Sequence, residues 1–190
     1  SADPLVVAAH GLAAVTAHQA LEVVGSAGTV CVTGAAGGVG SVACALAAAR
    51  GARVIAVARS AGAEPYLKSL GVAEVVTDAS QLARGTVDAC VDPVAGSAFE
   101  HLVAALVPGG RYCVVGAMGG DRVTFSAWDL FAGATLTGYS SETLDGPALR
   151  TAMADLMALS LPPPAMQTFP LARAADAHAL YAAGSVRGRV

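Results

Sequence analysis

The sequence has few charged and few aromatic residues for its length of 190 residues. Charged residues make up 13% of the chain and aromatic residues 5%, whereas hydrophobic residues make up 55%. The hydrophobic residues are mostly alanine and valine, in short runs that glycine and polar residues interrupt. No run reaches the roughly 18 apolar residues that a membrane-spanning helix requires. We therefore expect no membrane partner.

Basic clusters and targeting signals are also absent from the pattern. The net charge is −3 and no basic cluster occurs, whereas nucleic-acid-binding domains concentrate positive charge on one face. The apolar segment 1–15 has no basic start, and His10 and Gly11 interrupt it, so it does not resemble a signal peptide. We expect no nucleic acid partner and a cytoplasmic location.

Close cysteine pairs are missing as well. Cys31, Cys90 and Cys113 lie in predicted strands and Cys44 lies in a predicted helix, with no C-x-x-C pair among them. Zinc ligands usually come in such pairs. We interpret the four cysteines as small buried hydrophobic residues in a reducing compartment.

The most informative pattern present is a glycine motif between an apolar run and a helical one. Gly34, Gly37 and Gly40 are spaced G-x-x-G-x-x-G. This spacing allows a tight turn, a close approach of the backbone to a diphosphate, and close packing of the helix on the sheet. Unpaired N–H groups at the helix start would then face the phosphates. The predicted binding residues are Gly34, Ala36, Gly37, Gly38, Val39 and Gly40; the alternative is a glycine-rich turn without a nucleotide.

Strand and helix patterns alternate along the whole chain, which predicts an α/β fold with a doubly wound parallel sheet of Rossmann type in three α/β/α layers. The predicted strands are 29–33, 53–58, 74–77, 87–91, 111–115 and 135–138. The predicted helices are 12–24, 39–50, 65–70, 98–106, 147–159 and 172–183. We expect one NAD(P)-binding domain over residues 1–190, with residues 1–25 as an opening helical region.

The end of the second strand indicates which nucleotide is bound. NAD-binding folds place an acidic residue there to bond the ribose hydroxyls. Here Arg59 and Ser60 follow the strand and no acid is present. A guanidinium suits a 2′-phosphate, so we predict NADPH rather than NADH. The alternative is that Arg59 is a solvated surface residue.

Several passages together resemble the cofactor-binding half of the medium-chain dehydrogenase/reductase superfamily, in its zinc-independent quinone oxidoreductase group. They follow the family's order and spacing over nearly the whole chain. They are LAAVTAHQAL (12–21), GAAGGVG (34–40), LKSLG (67–71), VDPVAG (91–96), LVPGGR (106–111), VVGA (114–117) and VRGRV (186–190).

The resemblance implies roles for further residues. Thr16 would lie near the nicotinamide, which residues 115–117 (Val115, Gly116 and Ala117) would line. Tyr139 and Ser141 would offer backbone groups to the carboxamide. Arg187, or alternatively Arg189, would approach the phosphates. The alternatives are that Thr16 caps or packs a helix and that Tyr139 belongs to the core.

Other positions bear on metal binding and on ligand contacts. Zinc-dependent relatives carry a cysteine at the place of Leu12, which cannot ligate a metal, so no metal is expected. His10 and His18 are the nearest substitutes, and packing or surface roles suit them better. Asp92, after the fourth strand, either contacts a ligand or caps a loop.

The resemblance also implies a function and a missing part. Full-length relatives begin with a β-rich, chaperonin-10-like domain that forms most of the substrate pocket, and this chain starts where that domain would end. We predict the NADPH-binding domain of a reductase that transfers hydride to a quinone or an α,β-unsaturated carbonyl or enoyl compound, with no catalytic residue assigned.

Two other functions are open at this point. One is a non-catalytic NADPH-binding module or sensor. The other is an S-adenosylmethionine-dependent methyltransferase, which the missing acid after the second strand disfavours. Relatives also pair edge strands of this domain, so segment 122–138 is the expected edge of a homodimer.

Overall fold

The computed structural model describes residues 4–25, 28–159, 161–162, 164–184, 186 and 188–190. Strands and helices alternate over most of this length, as predicted. The strands are β1 (Thr29–Val32), β2 (Arg53–Val57), β3 (Glu74–Val76), β4 (Val87–Asp92), β5 (Leu106–Val114) and β6 (Thr135–Gly138). The helices are α1 (Pro4–Val24), α2 (Gly38–Ala49), α3 (Glu64–Ser69), α4 (Phe99–Ala104), α5 (Gly146–Ala158) and α6 (Ala174–Ala182).

The strands form one six-stranded sheet in the order β3-β2-β1-β4-β5-β6, and every pairing is parallel. The chain starts in the middle, moves outward to β3, and then crosses back to β4. This is the order of dinucleotide-binding α/β folds, and it places the loops after β1 and β4 side by side at the carboxyl edge of the sheet. The predicted doubly wound parallel sheet is confirmed.

Helices cover both faces of this sheet because successive strand residues point to opposite sides. Val30 and Val32 of β1 belong to the core that includes residues of α1, α2, α3 and α5. Cys31, between them, belongs to a second core with residues of α4. The predicted three-layer arrangement is therefore confirmed. Helix α2 buries eight residues, mostly alanine, glycine and serine, so it can lie close to both the sheet and α1.

Two element boundaries differ from the prediction. Helix α1 begins at Pro4 rather than at residue 12, and its helical geometry is interrupted at Gly11 (φ 22°, ψ −132°). Strand β5 begins at Leu106, although residues 98–106 were expected to be helical. Leu106 pairs with Val87, the register then shifts, and pairing resumes between Arg111 and Ala89. The Pro-Gly-Gly segment therefore forms an irregular stretch of strand.

The last part of the chain returns to the carboxyl edge. Met166 forms an isolated parallel bridge with Arg189, and the backbone N–H of Gly188 donates to the carbonyl of Ala36 at 2.8 Å. Within the described ranges, no helix combines the length and the apolar character needed to cross a membrane.

Candidate functional site

The turn after β1 has no room for side chains at its glycines. Gly34 has φ +51°, which favours glycine, and its carbonyl accepts a 2.8 Å hydrogen bond from the N–H of Gly37. A Cβ on Gly40 would lie 2.3 Å from the carbonyl oxygen of Gly34 and 2.8 Å from Cα of Ala35. Helix α2 therefore starts in direct backbone contact with the turn, in the arrangement that the motif predicts.

The start of α2 has the properties of an anion site. Gly37 is its N-cap and supplies no side-chain cap, and no acidic residue lies in the first turn. The first three backbone N–H groups, at residues 38–40, are those that an α-helix leaves unpaired, and the helix dipole adds partial positive charge there. A turn with glycine at residues 34, 37, 38 and 40, facing free N–H groups, fits a diphosphate.

A cation from the end of the chain lies over this turn. A Cβ on Gly38 would be 2.4 Å from Nη1 of Arg189, and Nε of Arg189 donates to the carbonyl of Ala9 at 3.1 Å. Burial lowers the pKa of this guanidinium below its usual value. A cation at the positive end of a helix is unfavourable by itself, so an anion between them would stabilise both. The predicted Arg187 lies outside the described residues.

Arg59 and Ser60 lie at the same edge, directly after β2. Nη2 of Arg59 donates to the carbonyl of Gly184 at 2.9 Å, just after α6. The hydroxyl of Ser60 accepts a 3.1 Å hydrogen bond from the N–H of Gly62. Both residues are exposed. Arg59 is thus held near the site by the last helix, and its role in nucleotide selection stays a prediction.

The residues expected near a nicotinamide come from three elements. Thr16 is buried in α1, and its hydroxyl donates to the carbonyl of Leu12 at 2.8 Å, which is the helix-packing alternative. The half-buried residues Val115 and Gly116, with the exposed Ala117, follow β5. The Val115 N–H donates to the Asp92 carbonyl at 2.9 Å.

Tyr139 and Ser141 follow β6. The N–H of Tyr139 donates to the carbonyl of Val114 at 3.0 Å, so this backbone donor is used by the sheet. The hydroxyl of Tyr139 is buried without a hydrogen-bond partner in the described part of the chain, and burial raises its pKa. An unpaired buried hydroxyl is costly, and the Tyr139 side chain packs against the core, as in the core alternative. Ser141 is half-buried and begins a single 3-10 turn.

Asp92 is fully buried at the end of β4 and accepts hydrogen bonds from four residues. Oδ1 accepts from the hydroxyl of Thr33 and from the N–H groups of Val94 at 2.8 Å and Ala95 at 3.0 Å. Oδ2 accepts from the N–H of Ala95 at 3.1 Å and from the hydroxyl of Tyr112. These contacts are those of a loop cap, one of the two expected roles.

Sequence reasoning did not find the hydroxyl partners of Asp92. Thr33 is 59 residues away and Tyr112 is 20 residues away. The available signal was the position of Thr33 at the end of a predicted strand, since carboxyl ends of parallel strands meet at one edge. Tyr112 is the second residue of its predicted strand, and no comparable signal pointed to it.

The positions considered for metal binding are separated. Leu12 is exposed, whereas His18 is buried with Nε2 3.2 Å from Oδ2 of Asp155 on α5. Across the described residues, no group of three or more His, Cys, Asp or Glu side chains could hold a metal ion. That the chain works without zinc stays a prediction.

Comparison with known proteins decides the family. The profile of the family described as zinc-binding dehydrogenase matches residues 38–158, from the start of α2 to the end of α5. The chain belongs to this zinc-binding dehydrogenase family. The resemblance to the medium-chain dehydrogenase/reductase superfamily is thereby confirmed for the cofactor-binding half.

Individual relatives of this zinc-binding dehydrogenase chain agree with that placement. The Bacillus subtilis protein YhfP, whose name assigns it provisionally to the quinone oxidoreductases, is 32% identical over 123 residues. This match covers 60% of the chain and 37% of YhfP. The structure of YhfP with NAD bound has a TM-score of 0.80 at 29% identity, covering 96% of this chain and 61% of that one.

Two further solved structures contain the phosphorylated nucleotide. The yhdH oxidoreductase from Salmonella enterica, in complex with NADP, has a TM-score of 0.83 at 26% identity, covering 97% of this chain and 60% of that one. The mycobacterial protein Rv1454c, complexed with NADPH, has a TM-score of 0.83 at 27% identity, covering 99% and 66%. The chain therefore spans less than two thirds of the length of the relatives it matches first.

Proposed function

We propose that this chain is the NADPH-binding domain of an oxidoreductase that reduces a quinone or an α,β-unsaturated carbonyl or enoyl compound. The observation that carries the proposal is the turn of residues 34–40, which has four glycines at positions where a Cβ would be crowded, against the uncapped start of α2. Family membership and the nucleotides bound by yhdH and Rv1454c support it. The substrate class rests on the name of YhfP and on the sequence resemblance.

Each part of the edge has a task in this proposal. The N–H groups of residues 38–40 bind the diphosphate, and Arg189 neutralises its charge from above. Arg59 binds the 2′-phosphate, sharing its guanidinium with the carbonyl of Gly184. Residues 115–117, with Thr16, Tyr139 and Ser141, surround the nicotinamide. The bound NADPH would supply the hydride, as nicotinamide cofactors do.

The choice of NADPH over NADH is tested by direct titration, followed by nicotinamide fluorescence or calorimetry. We expect NADPH to bind at least about tenfold more tightly, which corresponds to about 1.4 kcal/mol. Arg59→Gln should remove this preference by weakening NADPH alone, because NADH has no 2′-phosphate. Arg173→Gln is the matched control, since Arg173 is an exposed arginine paired with Asp176.

Arg189 should behave differently from Arg59 in the same titration. Arg189→Gln should weaken NADPH and NADH by the same factor, because both carry the diphosphate. Equal affinities of the unmodified chain for the two nucleotides would contradict the role of Arg59. Failure to bind either nucleotide would contradict the proposed function itself.

A homodimer through the sheet edge belongs to the same proposal. Strand β6 is the last strand of the sheet and pairs with β5 alone. Trp128 and Phe131, in the segment leading to β6, are each 76% exposed. Their rings pack edge to face with centroids 4.9 Å apart. Light scattering should report a dimer. The double variant Trp128→Ser and Phe131→Ser should be a monomer. An unmodified chain that is monomeric at high concentration would refute this assembly.

A further inference from the structure

The carboxylate of Asp92 joins three separate pieces of the carboxyl edge. Thr33 immediately precedes the glycine turn, Val94 and Ala95 belong to the turn after β4, and Tyr112 lies on β5. The four donors leave the buried carboxylate fully satisfied, as a buried charge requires. Burial raises the pKa of Tyr112 far above its usual value, so its hydroxyl keeps the proton that it donates.

The turn after β4 is in turn bound to the loop after β5. The N–H of Gly119 donates to the carbonyl of Val94 at 2.7 Å. A Cβ on Gly116 would lie 2.7 Å from the carbonyl oxygen of Pro93, and one on Gly96 would lie 2.4 Å from that of Gly119. These approaches leave no space for a side chain, so the backbones of the two loops pack directly on each other.

Asp92 also holds an unfavourable backbone conformation. Ala95 has φ +55° and ψ −141°, a region that residues other than glycine rarely occupy. Its N–H lies within hydrogen-bond distance of both oxygens of Asp92, at 3.0 and 3.1 Å. Strained residues persist where the surroundings determine them, and here the carboxylate is the group that does so.

We propose that Asp92 is a positioning residue that sets the distance between the glycine turn and residues 115–117. Through it, the diphosphate end and the nicotinamide end of the cofactor site form one preassembled unit. This inference rests on the proposed function. It assigns Asp92 no contact with the cofactor, since the side chain is fully buried and both of its oxygens accept hydrogen bonds from donors of the protein.

The first test compares two ligands of different length. Asp92→Asn puts an amide donor where two hydroxyls and two N–H groups need acceptors, so the loops should separate. We expect its Kd for NADPH to rise about tenfold, while the Kd for adenosine 2′,5′-bisphosphate, which lacks the nicotinamide, changes by less than about threefold. If the Kd values of both ligands rose by the same factor, the role of Asp92 would be a general structural one and the inference would be overturned.

Asp88→Asn is the matched control for this substitution. Asp88 lies on the same strand, is exposed, and accepts a 2.7 Å hydrogen bond from the N–H of Thr29 at the opposite edge of the sheet. It should leave the ratio of the two dissociation constants unchanged. A change as large as that of Asp92→Asn would show that the ratio reports stability rather than positioning.

A second readout needs no cofactor and separates this inference from the proposed function. Hydrogen exchange at the Val115 and Gly119 amides should accelerate at least about tenfold in Asp92→Asn. The reference is the Ala73 amide, which donates to the carbonyl of Val54 at 2.9 Å and should keep its exchange rate. Unchanged exchange at both would overturn the inference. A chain that binds no nucleotide would refute the proposed function, and the exchange result would still decide the role of Asp92.

A milder variant keeps the test decisive if Asp92→Asn does not fold. Tyr112→Phe removes one donor and leaves the carboxylate in place, so it should move both readouts in the same direction by a smaller factor. Adding Ala95→Gly to either variant should restore part of the ratio, because glycine adopts the required backbone angles without strain. The inference would be refuted if both readouts stayed unchanged in both variants.

Discussion

Two neighbouring turns at the carboxyl edge are built by opposite means. The turn after β1 carries glycine at residues 34, 37, 38 and 40, and a Cβ on Gly40 would lie 2.3 Å from a carbonyl oxygen. The turn after β4 is held by the buried carboxylate of Asp92, which takes up the N–H groups of Val94 and Ala95. The first turn therefore leaves its helix N–H groups free for an anion, whereas the second uses its N–H groups internally. One is built to bind a ligand and the other to hold its neighbours in place.

The largest effect should come from adding one methyl group to the glycine turn. Gly40→Ala forces backbone apart where α2 meets Gly34, so we expect a loss of about 3 kcal/mol in unfolding free energy together with weaker nucleotide binding. Chemical denaturation measures the first effect. Gly146→Ala is the control, because the nearest atom to a Cβ at that helix start is Nη1 of Arg150 at 3.6 Å. An unchanged midpoint for Gly40→Ala would show that the two elements separate at no cost.

Glycine should be more stable than alanine at the positive-φ position of both turns, although the second turn has alanine there. Ala95→Gly relieves a strained conformation and should stabilise the protein by about 1 kcal/mol. Gly34→Ala creates strain at φ +51° and places a Cβ 3.0 Å from Cγ2 of Val94, so it should destabilise by at least about 1 kcal/mol. Melting temperatures that move in the same direction for both variants would contradict this shared preference for glycine.

The smallest effect should be a difference in pH dependence. The folded phenol of Tyr112 stays protonated above its usual pKa of 10.0 because it is buried. The unfolded phenol ionises near that pH, so the unfolded state then binds fewer protons and stability falls as pH rises. At pH 10 the unmodified chain should have lost about 0.4 kcal/mol of unfolding free energy in this way. Tyr112→Phe has no phenol to ionise and should not show this loss.

The matched measurement is the unfolding free energy of both proteins between pH 8 and pH 10.5. The advantage of the unmodified chain over Tyr112→Phe should be constant at the lower pH and shrink at the upper end. Gly34→Ala adds no titrating group, so its curve should stay parallel to that of the unmodified chain. Parallel curves for Tyr112→Phe would show that the phenol ionises equally in both states.

Local patterns predicted those parts of the fold that depend on near neighbours. Alternating apolar runs located all six strands of the sheet, and glycine spacing located the turn after β1. Boundaries were missed where long-range pairing overruled a local signal. Leu106 continues a helical pattern, but its pairing with Val87 draws it into β5. Pro4 belongs to a helix whose interruption at Gly11 conceals its earlier start.

The site divides in the same way. The glycine turn and the arginine after the second strand are local features, and sequence reasoning placed both at the carboxyl edge. The contact of Arg189 with Ala9 joins residues 180 positions apart. Reasoning from the sequence left Arg187 and Arg189 open for the role near the phosphates, and Arg187 lies outside the described residues.

The sequence by itself determined the order of elements, the parallel sheet and the glycine turn, because each depends on short-range periodicity or on residues with special backbone freedom. Its resemblance to known proteins indicated the family. Tertiary structure alone decided that Asp92 gathers Thr33 and Tyr112, that Arg189 lies over Gly38, and that Arg59 contacts Gly184. These contacts join distant positions through side-chain direction. They exist only once the sheet has brought its strand ends together.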